Sequence, residues 1–202
     1  MDKKITVIIP VFNQEELVIR ALDSIPARND IEIIVIDDAS IDNTWNNLLE
    51  YREKHFEEKN ILLLYNEDNK GVGYTVNKGY DVANGEYIVL LGSDDYFTEE
   101  FEESLKELDG TDLIYFNLED NEGNIWKIDN VSKNTYVGSV KFMRRDFIGD
   151  TRCPEIRATE DLYFYQELMK KKPTEKYLDV ALKHYNYPRE NSLTWLNQRG
   201  EI

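Results

Sequence analysis

Cysteine is nearly missing from this 202-residue chain: Cys153 stands alone, so no intramolecular disulfide can form, and a reducing compartment is expected. Basic residues are scarce beside acidic ones, 24 Lys and Arg against 40 Asp and Glu, for a formal net charge of −16. That balance excludes a general nucleic-acid-binding surface, which needs a basic face, and a polybasic membrane anchor. Long apolar runs are also lacking. The opening MDKKITVIIPVF turns polar at Asn13, and nowhere is there an apolar stretch of about 18 residues. Neither a signal peptide nor an integral membrane segment is expected, and a cytoplasmic location is. Histidine is limited to the distant His55 and His184, too little for a His-based metal centre. What is present suffices for a packed core: 41% of residues are hydrophobic and 12% aromatic, which excludes a disordered chain.

Through residue 110 apolar runs alternate with helical spacing. Ile5–Phe12, Ile31–Ile36, Ile61–Tyr65 and Tyr87–Leu91 read as buried strands. Between them fall helices over Glu15–Ile25, from Asp42 or Ser40 to about His55, and over Val72–Ala83. A further helix should open at Thr98. This order predicts an α/β fold with a doubly wound, mostly parallel sheet, helices on both faces, and ligands beyond the carboxyl ends of the strands. The second half is less regular. It reads as strands over Asp112–Leu118, Ile125–Ile128 and Tyr177–Tyr187, a short helix over Val140–Ile148, and an amphipathic helix over Glu160–Lys171. No linker or repeat divides the chain, so residues 1–202 are expected to form one domain, with a ligand-binding half to about 110 and a second half from about 111.

Acidic pairs sit where that sheet would end. Asp94-Asp95 follows the fourth strand and Asp37-Asp38 the second. Adjacent carboxylates repel one another, and a divalent cation with a phosphate ligand relieves the repulsion. Alone, each pair reads more readily as a turn and helix cap; their shared sheet edge favours a site. Gly71 and Gly73 open the third helix, without the spacing of a dinucleotide fingerprint or a Walker loop. Glu160-Asp161 opens the amphipathic helix behind Thr159, a candidate cap. These acids can serve the helix dipole or, facing a cleft, a general base.

Taken together, Val7–Glu15 (VIIPVFNQE), Ile34–Thr44 (IVIDDASIDNT), Asn69–Phe97 and Thr159–Leu168 (TEDLYFYQEL) resemble glycosyltransferase family 2, inverting enzymes of the GT-A fold. A weaker block, Tyr185–Thr194, resembles the family's late Tyr/Arg…Ser segment. The resemblance implies a single catalytic domain that transfers a sugar from a nucleotide-sugar donor, with a UDP-sugar expected, to a glycan, lipid-linked or other hydroxyl acceptor in surface polysaccharide or glycan synthesis. It implies Mn²⁺ or Mg²⁺ held by Asp94 and Asp95, and catalysis by Asp161 as base with Glu160 beside it. It places Pro10, Phe12, Glu15, Asp38, Asn69 and Ser93 at the nucleotide. Three positions depart from the family pattern: Gly92 replaces the first Asp of Asp-x-Asp, Val76 stands where Arg is common, and Pro188 interrupts a Tyr-Arg pair. A non-catalytic GT-A-like nucleotide- or glycan-binding protein is the alternative. A signalling receiver domain is excluded, because strand one ends in Val11-Phe12-Asn13 rather than in an acidic pair.

Overall fold

In the computed structural model, which describes residues 4–129, 137–156 and 159–190, the first half alternates as its periodicity predicts. The order is β1 (Ile5–Val11), α1 (Leu17–Asp23), β2 (Ile31–Asp37), α2 (Thr44–His55), β3 (Asn60–Tyr65), α3 (Val72–Val82) and β4 (Tyr87–Leu90). β1 pairs in parallel with β2 and β4, and β2 with β3. Ile5, Val7, Ile8 and Ile9 are all fully buried, which requires cover on both faces of the sheet and explains why β1 is apolar throughout.

The rest of the chain extends the same sheet. β5 (Tyr96–Phe97), α4 (Glu100–Ser104), β6 (Leu113–Asp120), β7 (Ile125–Trp126), β8 (Lys141–Arg144), α5 (Arg145–Ile148), α6 (Glu160–Lys170) and β9 (Glu175–Tyr185) complete it. The nine-stranded sheet runs β3-β2-β1-β4-β8-β6-β9-β5, with β7 on β6. It is a mixed sheet, parallel from β3 to β4 and again between β6 and β9. β8, β5 and β7 run antiparallel to their neighbours.

Two expectations change. The helix expected over Val140–Ile148 is a strand followed by one helical turn, α5. Lys141–Met143 are buried between β4 and β6, and a short apolar run gains more from filling that gap than from helical spacing. Thr98 does not cap a helix. Its N–H donates to Leu182 O and its Oγ1 to Ala181 O, so it prolongs the sheet edge, and α4 starts at Glu100.

Candidate active site

The loops after β1, β2 and β3 are stitched into one rim. Asn13 N–H donates to Ser40 Oγ, Ile41 N–H to Asn13 Oδ1, and Gln14 N–H to Thr44 Oγ1, each at 2.9 Å. Pro10 pairs with Ile36 beyond the point where β4 leaves β1, so its missing N–H costs no bond to that strand. Phe12 lies just outside the strand, 42% exposed. Glu15 accepts the Asn43 amide at 3.0 Å, and its backbone carbonyl accepts Asn47 Nδ2, so its carboxylate steadies the start of α2. Asp42 accepts the Thr44 amide at 3.0 Å in a turn just before the helix; the residue at the cap position is Asn43, which makes no side-chain cap bond, so neither Asp42 nor Ser40 caps α2 as expected.

Asp38 is buried at the centre of this rim. Its Oδ1 accepts from Asn66 Nδ2 at 2.8 Å and Lys70 N at 2.9 Å, and its Oδ2 accepts from Gly71 N at 2.8 Å. The carboxylate therefore fixes the loop that leads into α3, on which Asn69 is exposed. Asp37 beside it is fully buried: Oδ1 accepts Ser40 N–H, whereas Oδ2 has no hydrogen-bond partner among the described residues. Burial, aided by Asp42 and Asp38, pushes the Asp37 carboxyl above the usual carboxylate range.

After β4 the chain turns through Gly92–Asp95, where Asp95 N–H donates to Gly92 O at 3.0 Å. The two acids face different surroundings. Asp94 is partly exposed; Oδ2 accepts from Arg189 Nη2 at 2.7 Å, and its backbone carbonyl accepts from Arg20 Nη2. Asp95 turns inward: Oδ2 pairs with Lys183 Nζ at 2.9 Å and Oδ1 accepts Asn186 N–H at 2.9 Å. The metal role expected for Asp95 does not fit this placement, because both oxygens are already bound to the protein interior. Asp94 Oδ1 lies on the turn side, 3.1 Å from the position a Cβ at residue 92 would take, and among the described residues no group of three or more His, Cys, Asp or Glu is gathered that could hold a metal ion. Ser93 is buried within the turn. The departure at Gly92 has a steric reason, since a Cβ there would lie 2.8 Å from Asp95 Oδ2 and 3.1 Å from Asp94 Oδ1.

The second acidic pair opens α6. Thr159 takes a left-handed conformation, φ 67°, and makes no side-chain cap bond, contrary to the expected cap. Glu160 and Asp161 are half-buried, and burial raises both carboxyls above the ordinary range. For Asp161 that rise is opposed by the Leu162 and Gly138 amides and by the charge of Lys141. Glu160 packs against α3 at Gly73, where a Cβ would lie 2.7 Å from Pro154 O and 3.4 Å from Glu160 Cγ; only a glycine admits this approach. Asn77, one helical turn on, donates Nδ2 to Cys153 O and accepts Cys153 N–H, each at 2.8 Å. α3 thus carries the segment that delivers α6.

Several site residues escaped the sequence reading. Lys183 also donates to Ser139 Oγ at 2.6 Å, and Lys141 donates to Val137 O, so two buried lysines grip the 3₁₀ turn Gly138–Val140 from β9 and β8. That turn connects the acidic loop after β4 to Asp161. A lysine inside an apolar strand pattern was the available signal for each. The block over Tyr185–Thr194 falls partly outside the described residues, but Arg189 lies within them and reaches Asp94.

A parallel sheet with an acidic turn beyond β4, a rim built on the β2 carboxylates and a carboxylate-bearing helix on the second half are laid out as in the GT-A fold. The chain belongs to glycosyltransferase family 2, whose model, Glycosyl transferase family 2, matches residues 6–178. It is 36% identical over 102 residues to a poly(ribitol-phosphate) beta-glucosyltransferase of Bacillus spizizenii, covering 48% of this chain and 16% of that protein. It is 28% identical to the putative teichuronic acid biosynthesis glycosyltransferase TuaG of Bacillus subtilis, covering 90% of this chain and 78% of that one. Among solved structures, S. aureus TarS residues 1–349 with UDP-GlcNAc superposes with TM-score 0.76 at 23% identity, over 94% of this chain and 60% of that one. The mannosyltransferase PcManGT of Pyrobaculum calidifontis with GDP-Man and Mn²⁺ gives 0.77 at 17% identity, over 100% and 62%. At those identities the two structures share the fold. The chain spans 16%, 44% and 15% of the length of the first three curated relatives it matches. No helix among the described residues is long and apolar enough to cross a membrane.

Proposed function

We propose that residues 1–202 act as one cytoplasmic catalytic domain that moves a sugar from a UDP-sugar to a hydroxyl of a glycan or lipid-linked acceptor, inverting the anomeric carbon, in the assembly of a surface polysaccharide. The observation that carries this reading is Asp161: a half-buried carboxyl with raised proton affinity, on the helix that the 137–140 turn links to the Asp94 loop. A carboxylate whose proton affinity is raised is a stronger base than an ordinary one. In the proposed reaction Asp161 removes the acceptor hydroxyl proton as the oxygen attacks the anomeric carbon and the nucleoside diphosphate departs from the opposite face. Glu160 borders Asp161 and shapes the acceptor side. The rim of Pro10, Phe12, Asp38 and Asn69 receives the base and ribose, with Glu15 supporting it from α2. Asp94 would hold Mn²⁺ or Mg²⁺, which when bound supplies positive charge to the diphosphate. UDP-GlcNAc on TarS and the wall-polymer names of two relatives favour a UDP-sugar and a polysaccharide acceptor.

The test is a melting panel of UDP, GDP, CMP and dTDP with and without Mn²⁺, followed by turnover of the matching sugars. A ligand at 100-fold its Kd stabilises the fold by about 2.7 kcal/mol. UDP with Mn²⁺ should raise Tm in the wild type and in Asp161→Asn, and the shift should vanish in Asp94→Ala. Transfer should vanish in Asp161→Asn. Nucleotide binding with no turnover of any donor would overturn the transferase reading.

A further inference from the structure

Lys141 is 1% exposed at the centre of the sheet, on a strand flanked by β4 and β6. Burying an ammonium costs several kcal/mol unless its charge is answered. Here the Val137 carbonyl accepts from Nζ, and the rings of Tyr115 on β6 and Tyr165 on α6 lie 5.6 and 5.5 Å away. Asp161 on α6, whose Cβ lies 3.7 Å from the position a Cβ would take on Gly138, next to Val137, is the carboxylate whose charge favours the ammonium, while Lys183 on β9 opposes it. Asp161 in turn has burial driving it toward the neutral acid, and Lys141 is the cation that resists. Glu160 and Cys153 are the other titratable groups beside Asp161; Cys153 is buried and its thiol is pushed up to about 12, so it stays neutral.

We propose that Lys141 is a positioning residue for the transfer step: its buried charge keeps Asp161 ionised and ready to take the acceptor proton, and its bond to Val137 holds the turn whose Gly138 amide faces the same carboxylate. This rests on Asp161 being the base. The arrangement is two-sided. Burial alone would favour the protonated, idle form of Asp161, whereas a fully exposed ammonium contact would make it too weak a base. Burial lowers Lys141 itself, to about 7, with the charge of Asp161 opposing the fall, so the two groups titrate as a coupled pair. As pH rises and Lys141 loses its proton, the grip of Asp161 on its own proton tightens, which broadens the pH range over which the base is poised.

The experiment follows the Asp161 side-chain carbon by NMR across pH, assigned by its loss in Asp161→Asn, in wild type, Lys141→Met and Lys141→Gln. Gln keeps a donor for Val137 without the charge. Both variants should move the Asp161 midpoint upward by about one pH unit, a tenfold gain in proton affinity. In Asp161→Asn, the Lys141 midpoint should fall below its wild-type value, which tests the coupling without altering the sheet interior. An unmoved Asp161 midpoint in either folded variant, or an unmoved Lys141 midpoint in Asp161→Asn, overturns the proposal. A shift confined to Met, with Gln behaving as wild type, overturns the role of the charge. Full transfer activity in Asp161→Asn would instead remove Asp161 from the base role, with the Lys141 coupling still read directly from the titrations.

Discussion

The ion pair between Lys183 and Asp95 is the contact whose loss the fold should feel most. Nζ and Oδ2 are 2.9 Å apart, with the side chains 1% and 5% exposed. Forming such a pair from two hydrated ions gains little, but removing one partner leaves the other without water. Lys183→Met keeps the stem and deletes the charge. Asp95 then retains only the Asn186 amide, and Ser139 Oγ loses its donor. The expected cost is about 3–5 kcal/mol, or roughly 6–20 °C in Tm for a chain of this size. Asp95→Asn alone should cost a comparable amount, because the ammonium becomes the stranded charge. The double variant removes both charges and should recover much of the loss. Urea unfolding of the four proteins closes the cycle. A loss under about 1 kcal/mol in either single variant, the range of an exposed pair, or a double variant equal to the sum of the singles, would refute the reasoning.

Two further outcomes follow from polar groups, one buried and one half-buried. Asp37 has a folded-state proton affinity raised above the unfolded value of about 3.9, so its contribution to stability is present at low pH and is lost as pH rises through the folded value. Asp37→Asn keeps an acceptor for Ser40, and its Tm advantage over wild type should grow from pH 4.5 to pH 8; a flat difference would show that Oδ2 is not the strained group. Asn77→Ala removes both bonds to Cys153 and should cost about 1–3 kcal/mol. It should also speed labelling of that single thiol by a maleimide several-fold, and an unchanged labelling rate would mean that α3 does not hold the Cys153 segment.

The parallel half of the fold was legible because β1 and β2 are apolar on both faces and each is closed by a polar break. β8 was not, since four residues with Lys141 among them carry no period that separates strand from helix; the gap between β4 and β6 decides their conformation. At the candidate site, what was legible is that adjacent acidic pairs, Asp37-Asp38 and Asp94-Asp95, fall at the ends of β2 and β4. The sequence could not separate Asp94 from Asp95, because their difference lies in Lys183, far along the chain, which draws one of them inward. Nor does Glu15 announce that it serves α2, or Asp38 that its two oxygens hold the amides of Lys70 and Gly71. Such bonds join loops brought near one another only by the sheet.

The place of β8 also bears on how the molecule is made. Val89 of β4 faces Phe142 of β8, so the inner edge of the parallel half has no neighbour until the ribosome has delivered that later strand. Tyr87, Ile88 and Val89 are buried in the finished protein, and a nascent chain that stops short of β8 would present them as an open apolar edge, the kind that pairs with other chains. The half that ends at β4 therefore has its innermost strand completed only by the segment that also carries Lys141.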